Sequence, residues 1–328
     1  MATHGGQAQR EFLLNETEER SKFDIGVLRR LRILCISEIG WRDTSTLLED
    51  IKAAGGRSAD QYRMRWPPFG NLHPENAAGS SALVEAEAND ANVQRFLFDT
   101  GWSSDWMDKR FSEEGIDGML ARREIHALVI SHEHFDHFWG IGSTLRHHPD
   151  IPIYVPEGFR REGFDFIASA GHTGSVEIVS PGTPLNLMPG LAIVSFPMET
   201  WSRARGENVV YAQVADKGLS MITGCGHSGV VDLLEYGTRK LVGGETIHAV
   251  YGGLHISPFG NWDEKRDATI KSLAGFGVQR LGCNHCTGEM AVRKMLEAGL
   301  PVVRGTARHG SKTDLFLGNG DALEIDGS

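Results

Sequence analysis

Three histidines and one aspartate within six positions form the stretch of this chain most suited to chemistry: His132, His134, Asp136 and His137. Imidazole and carboxylate ligands together suit zinc, iron or manganese. The first two histidines can face one metal ion, while Asp136 and His137 face a second. A polar surface turn is the alternative interpretation, but four potential ligands at this spacing favour a metal site.

The elements around this stretch would hold it in place. The apolar run at residues 125–130 predicts a buried strand, and Gly140 opens a predicted helix. The histidines would therefore lie on a loop at the end of a rigid strand. Predicted strands also lead to His255 and His285. Because sites gather at strand ends in layered α/β folds, we expect these residues to share one site.

The pattern His-x-His-x-Asp-His resembles the signature of the metallo-β-lactamase-fold superfamily, and the resemblance extends from about Leu31 to about Gly310. Asp99 resembles the early strand-ending aspartate of that superfamily, which orients the metal loop. Three later motifs resemble one subgroup, the proteins similar to dihydropterin–ribofuranosylaminobenzene-phosphate synthase of methanopterin biosynthesis. They are Gly-Cys-x-His at 224–227, Gly-Gly-x-His at 252–255 and His-Cys-Thr-Gly at 285–288.

The resemblance implies an α/β fold, a metallo-β-lactamase-like αββα sandwich in which helices flank two mixed β-sheets. It also implies two divalent metal ions, with zinc favoured and iron or manganese as alternatives. Superfamily members commonly carry a further histidine after a middle strand, but residues 196–201 contain none, so His227 is predicted to replace it. The predicted ligands are His132, His134 and His227 for one ion and Asp136, His137 and His285 for the other.

Two further residues are predicted to belong to the site. Cys225 stands where many superfamily members have a metal-bridging aspartate, so it is either a metal ligand or a small buried residue. His255 is predicted to be a catalytic pocket residue that does not bind metal, because six ligands already fill two sites that must keep positions open. It would stabilise an oxyanion or protonate a leaving group. Asp136 is the second residue predicted to serve catalysis. A core histidine bonded to backbone is the alternative for His255.

These residues predict a metal-dependent hydrolase of a small ester, lactone, amide or phosphoester that uses a hydroxide bound by two metals. A condensing synthase acting on a pterin or phosphate substrate is the first alternative. Ala78, where relatives tend to have a histidine, and the bulky Phe138 and Trp139 weaken it. A non-catalytic metal or ligand sensor is the second alternative.

Composition limits the partners. The formal net charge is −10 and the sequence pI is about 5.8, which argues against nucleic acid as a binding partner. No apolar run is long enough to span a membrane. We therefore expect a cytoplasmic protein with a small-molecule substrate, and a homodimer stays open. Of the four cysteines, Cys35 is expected in the core, and the pair Cys283 and Cys286 is not expected to be a redox or zinc-knuckle motif.

The chain is predicted to form one domain. Residues 1–25 lack periodicity and predict a flexible arm, and residues 26–328 predict a single metallo-β-lactamase-like domain. A helix is predicted at 44–55. Residues 56–78 predict a long loop, which either binds a ligand or packs its aromatic side chains.

Overall fold

The computed structural model describes residues 22–38, 60–62, 78–200 and 203–327. The predicted helix at 44–55 lies outside the described residues. So does the predicted loop at 56–78, apart from residues 60–62 and 78.

In the described residues, thirteen strands form two mixed sheets. In chain order the strands are β1 (Arg30–Ser37), β2 (Ser81–Glu87), β3 (Val93–Phe98), β4 (Ala127–Val129), β5 (Ile153–Pro156), β6 (Val176–Val179), β7 (Leu185–Met188), β8 (Leu191–Phe196), β9 (Glu207–Val214), β10 (Gly218–Thr223), β11 (Ile247–Gly253), β12 (Arg280–Asn284) and β13 (Ala322–Asp326). The first sheet has the order β13-β1-β2-β3-β4-β5-β6, and the second has the order β12-β11-β10-β9-β8-β7.

Helices flank the sheets. They are α1 (Ser104–Glu114), α2 (Ile116–Ala121), α3 (Phe135–Phe138), α4 (Ile141–His147), α5 (Arg161–Ser169), α6 (Val230–Lys240), α7 (Glu264–Gly275) and α8 (Glu289–Glu297). Helix α1 ends at Gly115, whose left-handed backbone, with φ of 70°, suits glycine at a helix end.

The layers follow from strands that are apolar on both faces. In β1, Ile33 packs between the two sheets while the next residue, Leu34, packs against helices on the outer side of the first sheet. In β9, Val210 faces the first sheet and Tyr211 packs in the cluster that includes α6 and α8. Because successive side chains of a strand alternate between its faces, continuous apolar strands require cover on both sides. The result is the predicted αββα sandwich.

The start of the described chain packs against the second sheet. The backbone of Phe23 bridges Leu241, and Ile25 is buried with its carbonyl accepting the Gly190 N–H at 2.6 Å. Residues 22–25, which the sequence assigned to the arm, are therefore part of the packed structure, because their apolar side chains cover core residues. Cys35 is buried in the core, as predicted.

The carboxyl ends of several parallel strands meet at one edge of the sandwich. Strand β3 runs parallel to β4 in the first sheet, and β10, β11 and β12 run parallel to one another in the second. The motifs singled out in the sequence follow these strands directly. The fold therefore delivers them to one place.

Candidate metal centre

The first group of candidate ligands is formed by His132, His134 and His227, whose ring nitrogens lie within 4.8 Å of one another. His132 Nε2 lies 2.9 Å from His134 Nδ1. The Nε2 of His227 is buried and has no hydrogen-bond partner among the described residues. A buried ring nitrogen without a partner is costly unless a ligand satisfies it. This group fits a cation.

The charge states of these rings also suit metal binding. Burial, together with the neighbouring imidazoles, holds the pKa of His132 and of His227 well below the ordinary histidine value. Burial lowers the pKa of His134 to about 3. A histidine binds a metal ion only as a neutral imidazole. These three rings are already neutral at neutral pH, so they can accept a cation without first losing a proton.

The second group consists of Asp136, His137 and His285. Asp136 Oδ2 lies 3.4 Å from His285 Nε2, and Asp136 Oδ1 lies 3.8 Å from His137 Nε2. Burial raises the pKa of Asp136, but His137 and His285 outweigh burial and bring that pKa below its ordinary value. Burial lowers the pKa of His285, but the hydrogen bond and charge of Asp136, together with Cys286 and the Glu38 carbonyl, outweigh burial and raise that pKa to about 9. Asp136 thus favours positive charge at this group.

Asp99 and Ser131 orient the metal loop, as the sequence predicted for Asp99. Asp99 Oδ1 accepts the Ser131 backbone N–H at 2.6 Å, and Asp99 Oδ2 lies 2.6 Å from His137 Nδ1. Fixing Nδ1 in this way leaves Nε2 of His137 to face the second group. Gly224 lies against the same pair, since a Cβ at this position would meet Ser131 Oγ at 2.2 Å.

Two consecutive residues at the start of β9, which no sequence pattern predicted, hold the two segments that carry candidate ligands after β4 and after β10. We call these two segments the metal loops. Glu207 is fully buried and accepts the backbone N–H groups of Gly226 at 2.6 Å, Ser228 at 3.2 Å and Cys225 at 3.3 Å. Asn208 donates its backbone N–H to the Ser131 carbonyl at 2.7 Å. Its side-chain amide donates to the carbonyl of Ile130 at 3.0 Å. Polar residues before an apolar strand carry no sequence signal for such a role.

A third group is made of two thiols and one imidazole. Cys225, His255 and Cys286 place one ligand atom each within 4.8 Å of the others. Cys225 also forms a group with His132 and His137, and its Sγ lies 3.2 Å from His137 Nε2. Cys225 is buried and its Sγ faces the candidate ligands, so it does not face away from the site, and its role as a metal ligand stays a prediction. His255 is exposed on the open side of the site.

A short segment from the predicted long loop is fastened to the metal loop. The side-chain oxygen of Gln61 accepts the Phe135 N–H at 3.0 Å, and its amide donates to the carbonyl of Glu133. Tyr62 donates its hydroxyl to the Glu133 carboxylate at 2.6 Å. Asp60 forms two ion-pair contacts of 3.0 Å with Arg160. At least this part of the loop therefore packs beside the site.

Comparison with proteins of known sequence shows two related chains from Methanocaldococcus jannaschii. The first is 7,8-dihydropterin-6-methyl-4-(beta-D-ribofuranosyl)-aminobenzene-5'-phosphate synthase, which is 27% identical over 279 residues, covering 73% of this chain and 89% of the synthase. The second is an uncharacterized protein, 26% identical over 243 residues, covering 66% of this chain and 86% of its own.

A family model described as a beta-lactamase superfamily domain matches residues 94–230. The crystal structure of Tm1679, described as a metal-dependent hydrolase of the beta-lactamase superfamily, has a TM-score of 0.56 at 18% identity, covering 90% of this chain and 99% of its own. The chain therefore resembles the metallo-β-lactamase superfamily in sequence and has its fold. The metallo-beta-lactamase fold protein YhfI from Bacillus subtilis has the same fold, with a TM-score of 0.50 at 13% identity over 90% of this chain and 100% of its own.

These similarities confirm the predicted resemblance to the metallo-β-lactamase superfamily and the predicted fold. The structure brings all six predicted ligands into two neighbouring groups, with Cys225 beside them. Their roles as ligands stay predictions, as do the roles of Asp136 and His255 in catalysis. Among the described residues, no helix has the length and apolar character needed to cross a membrane.

Proposed function

We propose that this protein is a metal-dependent hydrolase of a small ester, lactone, amide or phosphoester. The observation that carries the proposal is the pair of adjacent ligand groups at the strand ends, each with three converging ligand atoms. The partnerless buried nitrogen of His227 supports it, because such a group calls for a ligand. Zinc is the favoured metal, since imidazole and carboxylate ligands suit it.

His132, His134 and His227 would hold one cation, and Asp136, His137 and His285 the other. Two cations bound in this way supply an activated water at neutral pH and positive charge for an oxygen that becomes negative during the reaction. The chain's own contribution is to fix the ligands. Asp99 sets which nitrogen of His137 faces the site, and the carbonyl of Glu38 does the same for His285 through a 3.0 Å contact with Nδ1.

Two residues are proposed to act on the substrate. His255 lies on the open side of the site and is exposed, so it can reach a bound substrate and donate a proton to its leaving group. The carboxylate of Asp136 lies between the rings of His137 and His285, so it can orient a water between the two groups. Both roles require a substrate small enough to approach a buried centre.

A synthase is the second candidate, and a specific finding favours it. The relative from Methanocaldococcus jannaschii is named a synthase, and the similarity covers 89% of it. Its name includes a 5'-phosphate, and a centre with two cations suits the binding of phosphate groups. In this second candidate, the same ligands would bind a phosphate-bearing substrate while a second molecule, rather than water, attacks it.

One assay separates the candidates. The purified protein, with its metal content measured, would be incubated with lactones, carboxylic esters and phosphodiesters, and separately with a dihydropterin pyrophosphate and an arylamine ribose phosphate. Hydrolysis that stops on chelation and returns with zinc supports the hydrolase. Condensation without hydrolysis supports the synthase. Metal-replete protein that does neither, but binds a substrate analogue, supports the sensor instead.

A further inference from the structure

We propose that Cys225, His255 and Cys286 form a third metal position, rich in sulfur, beside the two groups described above. Two thiolates and one imidazole make a three-ligand set that leaves a fourth place open, and such sets bind zinc or softer metals. This inference goes beyond the proposed hydrolase, which needs only the first two groups. It also replaces the expectation that His255 is not a ligand.

The backbone around these residues is built to bring them together. Gly253 lies so close to Cys286 that a Cβ at this position would meet its Sγ at 2.6 Å. The N–H of Gly253 donates to the Gly224 carbonyl at 3.1 Å, which joins the loop bearing His255 to the loop bearing Cys225. The N–H of Leu254 donates to Thr287 Oγ1 at 3.0 Å, which joins it to the loop bearing Cys286.

His255 itself adopts a left-handed backbone conformation, with φ of 44°. A residue other than glycine pays about 1 to 3 kcal/mol for such a conformation, so the surrounding structure must impose it. A ring nitrogen of the exposed His255 lies within 4.8 Å of both thiol sulfurs. An imidazole has two ring nitrogens, so binding a metal through one leaves the other able to donate to a substrate.

Position, rather than burial, separates this pair of thiols from the other cysteines, all of which are buried. Cys225 is 3% exposed and Cys286 is 8% exposed, and both lie at the ends of strands that reach the site. Cys283 is equally buried but packs within the hydrophobic cluster of the second sheet. It stands three residues before Cys286, outside every candidate metal group found in the described chain. Cys283 is therefore a matched control.

The test uses the full-length protein, reduced, stripped of metal and titrated with Cd²⁺. Binding by thiolates produces an ultraviolet charge-transfer absorption, which histidine and carboxylate ligands do not produce. We expect three equivalents of bound metal in the unsubstituted protein, with strong thiolate absorption. We expect two equivalents, with most of that absorption lost, in Cys286→Ser. Cys283→Ser should match the unsubstituted protein.

Several results would overturn the proposal. If Cys286→Ser keeps the absorption and all three equivalents, then Cys286 is not a ligand and the proposed third position is wrong. If the unsubstituted protein binds only two equivalents, no third position exists, whatever the variants do. His255→Asn should lose the third equivalent, and retention of it would remove His255 from the set. His132→Ala should lower the first group's occupancy but keep the thiolate absorption, which separates this proposal from the proposed hydrolase.

Discussion

Glu207 should control metal affinity through the backbone it holds, without touching a metal. The change Glu207→Gln keeps the shape of the side chain but puts an NH₂ group where a carboxylate oxygen now accepts the Ser228 N–H at 3.2 Å. Two donors then face each other in a buried place. The loss of one hydrogen bond to a charged acceptor costs about 1.5 to 3 kcal/mol, so we expect the apo-protein to lose about 2 kcal/mol of stability.

The same change should weaken metal binding, because the residues that Glu207 holds include Cys225 and lie on either side of His227. Replacing a group that orients a metal ligand typically lowers affinity about 10- to 100-fold. At saturating zinc this removes about 1.4 to 2.8 kcal/mol of the stability that the metal contributes. Glu207→Gln should therefore lower the free energy of unfolding more in the presence of zinc than in the presence of chelator.

The assay is chemical denaturation of both proteins in excess zinc and in excess chelator. Asp321→Asn is the matched control, because Asp321 is also a buried carboxylate that accepts backbone N–H groups, from Thr306 and Gly318 at 2.9 Å each. Neither of these partners belongs to a metal loop, so Asp321→Asn should lower the free energy of unfolding equally in excess zinc and in excess chelator. Equal losses for Glu207→Gln as well would refute the reasoning and leave Glu207 a purely structural residue.

The remaining predictions concern single contacts. Asp99→Asn should weaken the second metal group about 10- to 100-fold while leaving the first nearly intact, which metal titration with a competing chelator can resolve. His227→Ala should reduce binding to the first group, and Asp136→Ala to the second; a His227→Ala protein with full metal content and turnover would require a different third ligand. Gly224→Ala should lower the melting temperature in the apo-protein, because its Cβ would clash with Ser131 Oγ, and an unchanged melting temperature would contradict this. The ion pair with Arg160 holds the pKa of Asp60 below its ordinary value of 3.8, so Asp60→Asn should destabilise the protein at pH 7 and progressively less as the pH falls below about 4, in denaturation curves measured across pH.

The candidate ligands could be predicted because their spacing is local. His132 and His134 lie on the loop after the apolar strand β4, and Asp136 and His137 lie on the short helix α3 that follows, where a loop was predicted. The other candidate ligands also follow apolar strands directly. Where a strand ends and a short motif begins, side-chain chemistry and backbone geometry are encoded in neighbouring positions. The sandwich was predictable for a similar reason, since strands that are apolar on both faces must be covered on both sides.

The residues that hold the ligands could not be predicted, because their partners are remote in the sequence. Glu207 contacts Gly226, which is 19 positions away, and the Asn208 amide reaches a carbonyl 78 positions away. Neither residue has a pattern of its own. The contact between His134 Nε2 and Thr200 Oγ1, at 2.8 Å, depends likewise on the folding of a middle loop. Tertiary contacts of this kind appear only when both sheets are in place.

Each of the first two groups takes two candidate ligands from the segment after β4, in the first sheet, and one from a segment that follows a strand of the second sheet. A cation in either group would therefore tie the two sheets together, as a disulfide ties two segments. The segments joined are about 100 residues apart through His227 and about 150 through His285, and a covalent cross-link over about 100 residues removes about 4.7 kcal/mol of unfolded-state entropy. A bound cation would thus stabilise the packing of the two sheets on each other, and chelation would remove that stabilisation without altering any covalent bond.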